Sequence, residues 1–101
     1  MIFRRRRYAE VVDRQLDLFA AEDNDLLEDV GRALDRYNEA ETDEAEELYG
    51  DYQLAIEAAT DRLGELRDTY ARTLEDPDEY LAEFNAAVVK RWRALALTIE
   101  D

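Results

Sequence analysis

The sequence predicts an all-α protein: a long antiparallel helical hairpin plus a shorter third helix, a three-helix bundle expected to assemble as a helical dimer. Two observations predict it. Apolar residues recur in alternating steps of four and three through two runs of matching length, as helices packed side by side require. The chain also holds only three Gly and one Pro among 101 residues, and 40% of them are charged, a composition that fits helix better than sheet or disorder. A single all-helical domain over residues 1–101 is expected.

The first helix is expected over about 8–40. Its seam runs Val12, Leu16, Phe19, Asp23, Leu26, Val30, Ala33, Tyr37, Ala40. The second is expected over about 43–75. Thr42 can cap it, and Asp43, Glu44, Glu46 and Glu47 in its first turns complement the helix dipole. Its seam runs Ala45, Tyr49, Tyr52, Ile56, Ala59, Leu63, Leu66, Tyr70, and Pro77 stops it. Only Glu41 and Thr42 separate the two, so they fold back as a hairpin of roughly 50 Å at a rise of about 1.5 Å per residue. The third helix is expected over about 77–99, with Asp76 as cap and Pro77 in the first turn. Its face is Leu81, Phe84, Val88, Trp92, Leu95, Ile99. It should run antiparallel to the second helix and span roughly 33 Å, which leaves the far end of the hairpin, residues 30–55, partly uncovered.

The flanks of the first seam change sides along its length. Val11 and Leu18 lie on one side, facing the third helix; Leu27 and Leu34 lie on the other. With Leu48, Tyr37, Tyr49 and Tyr52, the upper flank forms a candidate interface for a second copy of the chain. The alternative is a kinked first helix that covers its own upper half.

The stretch FAAEDNDLL interrupts the first seam with Glu22, Asp23, Asn24 and Asp25. A dry, unpaired carboxylate in a helical seam costs several kcal/mol, so three readings compete. A metal site would want histidine in a Glu-x-x-His pattern, and the chain has no histidine; Asp23-Asn24-Asp25 also lacks the glycine and closing glutamate of an EF-hand loop. A helix boundary is supported by three good N-cap residues in a row and by Glu28 three residues after Asp25. The apolar register carries through without a slip, however, which favours a continuous helix, or one gently kinked near 22–25. The third reading follows from level-matching in the hairpin: Asp23 falls beside Arg62, and Arg91 and Arg93 reach the same height. Glu22, Asp23, Asp25, Arg62, Arg91 and Arg93 are therefore expected to form an interhelical charge cluster that fixes register. By the same matching, Arg4, Arg5, Arg6 and Arg7 should be neutralised near Glu75, Asp76, Asp78, Glu79 and Glu83.

Composition narrows the function. The net charge is −14, from 27 acids and 13 bases, twelve of the bases being Arg. That argues against binding nucleic acid or anionic lipid, where basic residues supply the attraction, and for a basic protein partner. From Tyr37 to Asp61 there are nine acids and no base. The chain has no cysteine, histidine or serine, which removes disulfides, thiolate ligands and the usual nucleophile–base pairs. Gly31, Gly50 and Gly64 are isolated rather than grouped as a phosphate loop. No membrane span or secretory signal is visible, so a cytoplasmic location is expected. No enzyme activity, cofactor or catalytic residue is expected. The reading favoured is an acidic, self-associating interaction or assembly module, a homodimer. The first alternative is an acidic mimic that occupies a basic site on a partner; the weaker one is carboxylate-based binding of a divalent metal.

Overall fold

The computed structural model describes residues 7–97, which form four helices: α1 (Ala9–Glu22), α2 (Asn24–Asn38), α3 (Ala45–Ala71) and α4 (Asp78–Arg91). The fold is all-helical, but the expected first helix is two. Asp23 leaves helical geometry at φ −113° and ψ 29°. Its N–H closes α1 on the carbonyl of Phe19 at 2.8 Å, and its own carbonyl accepts from Leu26 N–H at 3.0 Å to open α2. The Asp23 carboxylate stays half-buried at the break and meets Arg62 of α3. Asp25 near the start and Arg36 in the last turn of α2 each complement its dipole.

The other boundaries also shift. Thr42 does not cap α3: the connector makes its own backbone turn, Glu44 N–H to Glu41 C=O at 2.9 Å, and Glu44 precedes the helix without a side-chain cap. At the other end, α3 stops at Ala71, four residues before Glu75. Thr73 turns its hydroxyl onto the carbonyl of Tyr70 at 2.7 Å and begins the loop. Asp76 Oδ1 accepts the Asp78 N–H at 3.3 Å, and Pro77 holds helical angles, so this pair starts α4. The third helix does not continue to 99. The chain turns extended at Trp92 (φ −136°, ψ 92°), and Leu95, 1% exposed, enters the core from a non-helical segment. Ile99 lies outside the described residues.

Pairwise contacts set the directions. α2 and α3 are antiparallel, with the Tyr37 and Tyr49 rings 5.3 Å apart near one end and Asp23 meeting Arg62 at the other. α4 runs parallel to α1, with the Tyr8 N–H on Glu83 at 3.1 Å and the Phe19 and Trp92 rings 5.5 Å apart. It runs antiparallel to α3, through the Tyr70–Tyr80 and Arg67–Asn85 contacts.

Among the described residues, the buried core lies at one end. It comprises Val12, Leu16 and Phe19 of α1, Ala59 and Leu63 of α3, Tyr80, Phe84 and Val88 of α4, and Leu95. Full burial of each large side chain contributes roughly 1.5–3 kcal/mol. No residue of α2 is buried, and none of α3 before Ala59. The molecule is accordingly long, with a radius of gyration of 15.9 Å and extents of 53 × 32 × 27 Å, against about 13 Å expected for a compact chain of this size.

Candidate functional site: an acidic, tyrosine-bearing hairpin tip

The tip is the upper half of the α2–α3 hairpin, and three tyrosines mark it. Tyr37 near the end of α2 packs on Tyr49 in the second turn of α3. Tyr49 in turn lies 6.3 Å from Tyr52. Helical spacing puts residues 49 and 52 on one face, and the antiparallel turn brings Tyr37 to them. The rings touch one another but are not covered: Tyr37 is 36% and Tyr49 44% exposed, and Tyr52 is half-buried. Leu54, which periodicity did not single out, is the most exposed large apolar side chain among the described residues, at 65%. It falls off the seam spacing, and that was the available signal. Leu34 and Leu48 are half-buried, Leu48 in the groove between α2 and α3 with Asp29, Arg32 and Asp51. Leu27 packs against the chain's own core, because the break at Asp23 turns the first residues of α2 toward it.

The tip is also where charge is unbalanced. Among the described residues, none of the nine acids between Tyr37 and Asp61 forms an ion pair with a base. Lower down, pairs are frequent. Asp29 holds Arg32 one turn away, the i,i+3 arrangement that steadies a helix.

The joint between tip and base is Asp23 and Arg62. Arg62 Nε donates to Asp23 Oδ2 at 3.3 Å and Nη1 reaches Glu65 at 3.5 Å. The bond from Asp23, and then its charge, raises the Arg62 pKa above its ordinary value. The rest of the expected cluster is not brought together. Arg91 turns to Asp17 at 2.8 Å and Asp13 at 4.0 Å, both more than a turn below Glu22 on α1. The register of α4 on α1 sets this: Tyr8 meets Glu83 and Phe19 meets Trp92, so Arg91 lies below the level of residues 22–25. Glu22, Asp25 and Arg93 are exposed and make no ion pair among the described residues. Arg7 stacks over the neighbouring Tyr8 ring at 5.4 Å rather than pairing with an acid, while Glu83 accepts from the Tyr8 backbone. Arg4, Arg5 and Arg6 lie outside the described residues. Leu18, expected to face the third helix, is 51% exposed.

Two buried polar groups at the base escaped the sequence reading. Arg67 is 6% exposed, held by Asp68 at 2.8 Å and by the Asn85 amide oxygen at 3.1 Å. It follows Ala59 and Leu63 at steps of four on the stripe facing α4, so its position was legible although its type was not. Tyr80 is fully buried among the rings of Tyr8, Tyr70 and Phe84, and its hydroxyl donates to Gln15 at 2.7 Å. Burial pushes its pKa up to about 12. Both groups are held inside the base by neighbouring side chains, Tyr80 by Gln15 and Arg67 by Asp68 and Asn85.

Among the described residues, no three acidic groups converge in a way that could hold a metal ion, and no helix is long and apolar enough to cross a membrane. The class these features define is an all-helical hairpin whose base is closed by a fourth helix and whose tip is open. No family model, curated protein or solved structure matches the chain.

Proposed function

We propose that the chain is a non-enzymatic helical interaction or assembly module that associates with itself. One observation carries the reading: half of a two-helix hairpin holds no buried residue and presents the rings of Tyr37 and Tyr49 to solvent. A pair of helices with one apolar face each is stabilised by a further layer, and exposed tyrosine is a frequent anchor of protein interfaces. The absence of His, Cys and Ser supports the non-enzymatic part. The test is the solution mass by light scattering at low and high salt. A mass of twice the chain at micromolar concentration is the expected result, and a monomer at every concentration and salt refutes self-association.

The nine acids of the tip favour one second reading, an acidic surface that occupies a basic site on another protein. It requires the carboxylates to stand in rows spaced like phosphates. Arg32 and Arg36 beneath the tip and the paired Arg62 interrupt such a row, so self-association is the reading preferred.

A further inference from the structure

We infer that two copies associate antiparallel through α2, by a row of four charged side chains that complements itself: Asp25 meets Arg36 of the other copy, and Asp29 meets its Arg32. This rests on the self-association proposed above and specifies its face and direction. Asp25, Asp29, Arg32 and Arg36 step by four, three and four along α2, so they stand on one flank of the helix. All four are exposed. They include both bases of α2 and two of its four acids, and the signs come in blocks, two negative and then two positive. Within one chain this order is poor. It sets like charges at i,i+4 twice, Asp25 with Asp29 and Arg32 with Arg36, which disfavours a helix. The middle pair, Asp29 with Arg32, closes on itself; among the described residues Asp25 and Arg36 make no ion pair. The helix dipole accounts for an acid early and a base late, but not for all four sharing a row.

A second copy turned end over end answers that order. Parallel pairing of two α2 helices sets like on like at every position of the row. Antiparallel pairing about a two-fold axis midway between residues 30 and 31 sets opposite signs at all four, because 25 and 36 lie equally far from that point, as do 29 and 32. Carboxylate and guanidinium then join by charge-assisted hydrogen bonds. Apolar surface lies beside the row. Ala33 and Leu48, both half-buried, line the groove between α2 and α3 together with Asp29, Arg32, Arg36 and Asp51, and a second α2 laid along that groove covers them. No residue of α2 is buried within its own chain, so the flank is unpartnered. The arrangement also keeps the acidic tips apart: Tyr37 of one copy lies about 20 Å along the axis from Tyr37 of the other at the helical rise, against a screening length of about 10 Å at about 0.1 M salt. The two-fold makes the contacts equivalent, and association closes at two.

The test uses the full chain and three variants, Asp25→Arg, Arg36→Asp and the two combined, with circular dichroism showing that each keeps its helices. At about 0.1 M salt, each single reversal sets like charges together at both symmetric contacts and should weaken self-association at least tenfold. The combined variant exchanges the two charges, restores opposite signs across the axis, and should associate within about threefold of the wild type. The dipole alone predicts the reverse, since the combined variant places a base early and an acid late. Single reversals that leave association unchanged overturn this face while self-association stands. Loss in the combined variant with its helices intact overturns the antiparallel register, and a wild-type monomer overturns both. A second measurement needs no charge reversal. The chain has no cysteine, so Asp25→Cys and Arg36→Cys chains can be mixed and treated with a short bis-maleimide. Cross-linked dimers of unlike chains should outnumber those of like chains; an excess of like pairs, or equal yields, overturns the register.

Discussion

The base and the tip are built from the same kind of amphipathic helix, yet only the base has an interior. At the base, α3 meets α4, which also packs along α1, and Phe19, Leu63, Phe84 and Val88 are removed from water together. At the tip, α3 meets α2 alone, and side chains at equivalent seam positions, Tyr49 and Tyr52, stay partly wet. The difference teaches that the heptad seam specifies which residues face a neighbour, whereas burial depends on how many neighbours arrive. Two helices bring their seams into contact; closing them off takes a third element.

The most severe way to break the comparison is to empty the base. Phe84→Ala should cost about 3–5 kcal/mol, read as the loss of chemical stability in urea, while Tyr49→Ala at the tip should cost only about 1 kcal/mol. Equal losses would mean that the tip carries more of the fold than its exposure indicates.

Alkali should attack the base next. Tyr80 is neutral in both states below pH 10. Above that the unfolded chain ionises first, while the folded phenol holds its proton to about pH 12. Stability is thus intact below pH 10 and falls by about 3 kcal/mol as pH rises from 10 to 12, at about 1.4 kcal/mol per unit. Tyr80→Phe should remove that part of the decline in a pH series of urea melts, and an unchanged slope would show that Tyr80 is not its source.

Glycine substitution sharpens the contrast at a smaller scale. Gly50 in the tip and Gly64 in the base both sit within α3, neither has positive φ, and a Cβ built at either meets nothing within 4 Å. Alanine at each should add about 0.5–1 kcal/mol. For Gly64 the gain should appear in the global melt. For Gly50 it should appear as slower amide exchange confined to the tip, since that half can open without the base. The smallest effect is expected at the joint. Asp23→Ala removes the bond to Arg62 but restores a good helix former, so stability should change little while amides of residues 24–27 gain protection. Unchanged exchange there would show that the break does not depend on the carboxylate.

How far the sequence could be read follows from these same positions. Periodicity located Asp23 as the odd residue and Arg62 as its neighbour in height, because both follow from rotation and rise about a straight axis. It missed that the ladder is cut there, since a single non-helical residue leaves the apolar faces on either side in step. It missed the end of α4 for a related reason. Trp92 and Leu95 continue the helical spacing, no Gly or Pro marks the exit, and Leu95 reaches the core from a turn closed on the Trp92 carbonyl as it would have from a helix. Arg91 was set level with residues 22–25 because the level of α4 was counted from Asp78 beside Tyr8, whereas Glu83 meets Tyr8. Arg67 was missed because burial of a guanidinium depends on Asp68 and Asn85 being at hand, which no single helical face discloses. The tyrosines of the tip were found together; their openness depended on where α4 stops.

The cut at Asp23 leaves α3 as the one unbroken member that runs from end to end. Over residues 45–71 it is a beam of about 40 Å, clamped at one end by α1 and α4 and carrying α2 at the other. A tilt of about 5° at the clamp swings the free end through about 3 Å over that length, roughly the reach of a hydrogen bond. Whatever grips the tip therefore works the base at a mechanical advantage, with Asp23 and Arg62 at the fulcrum.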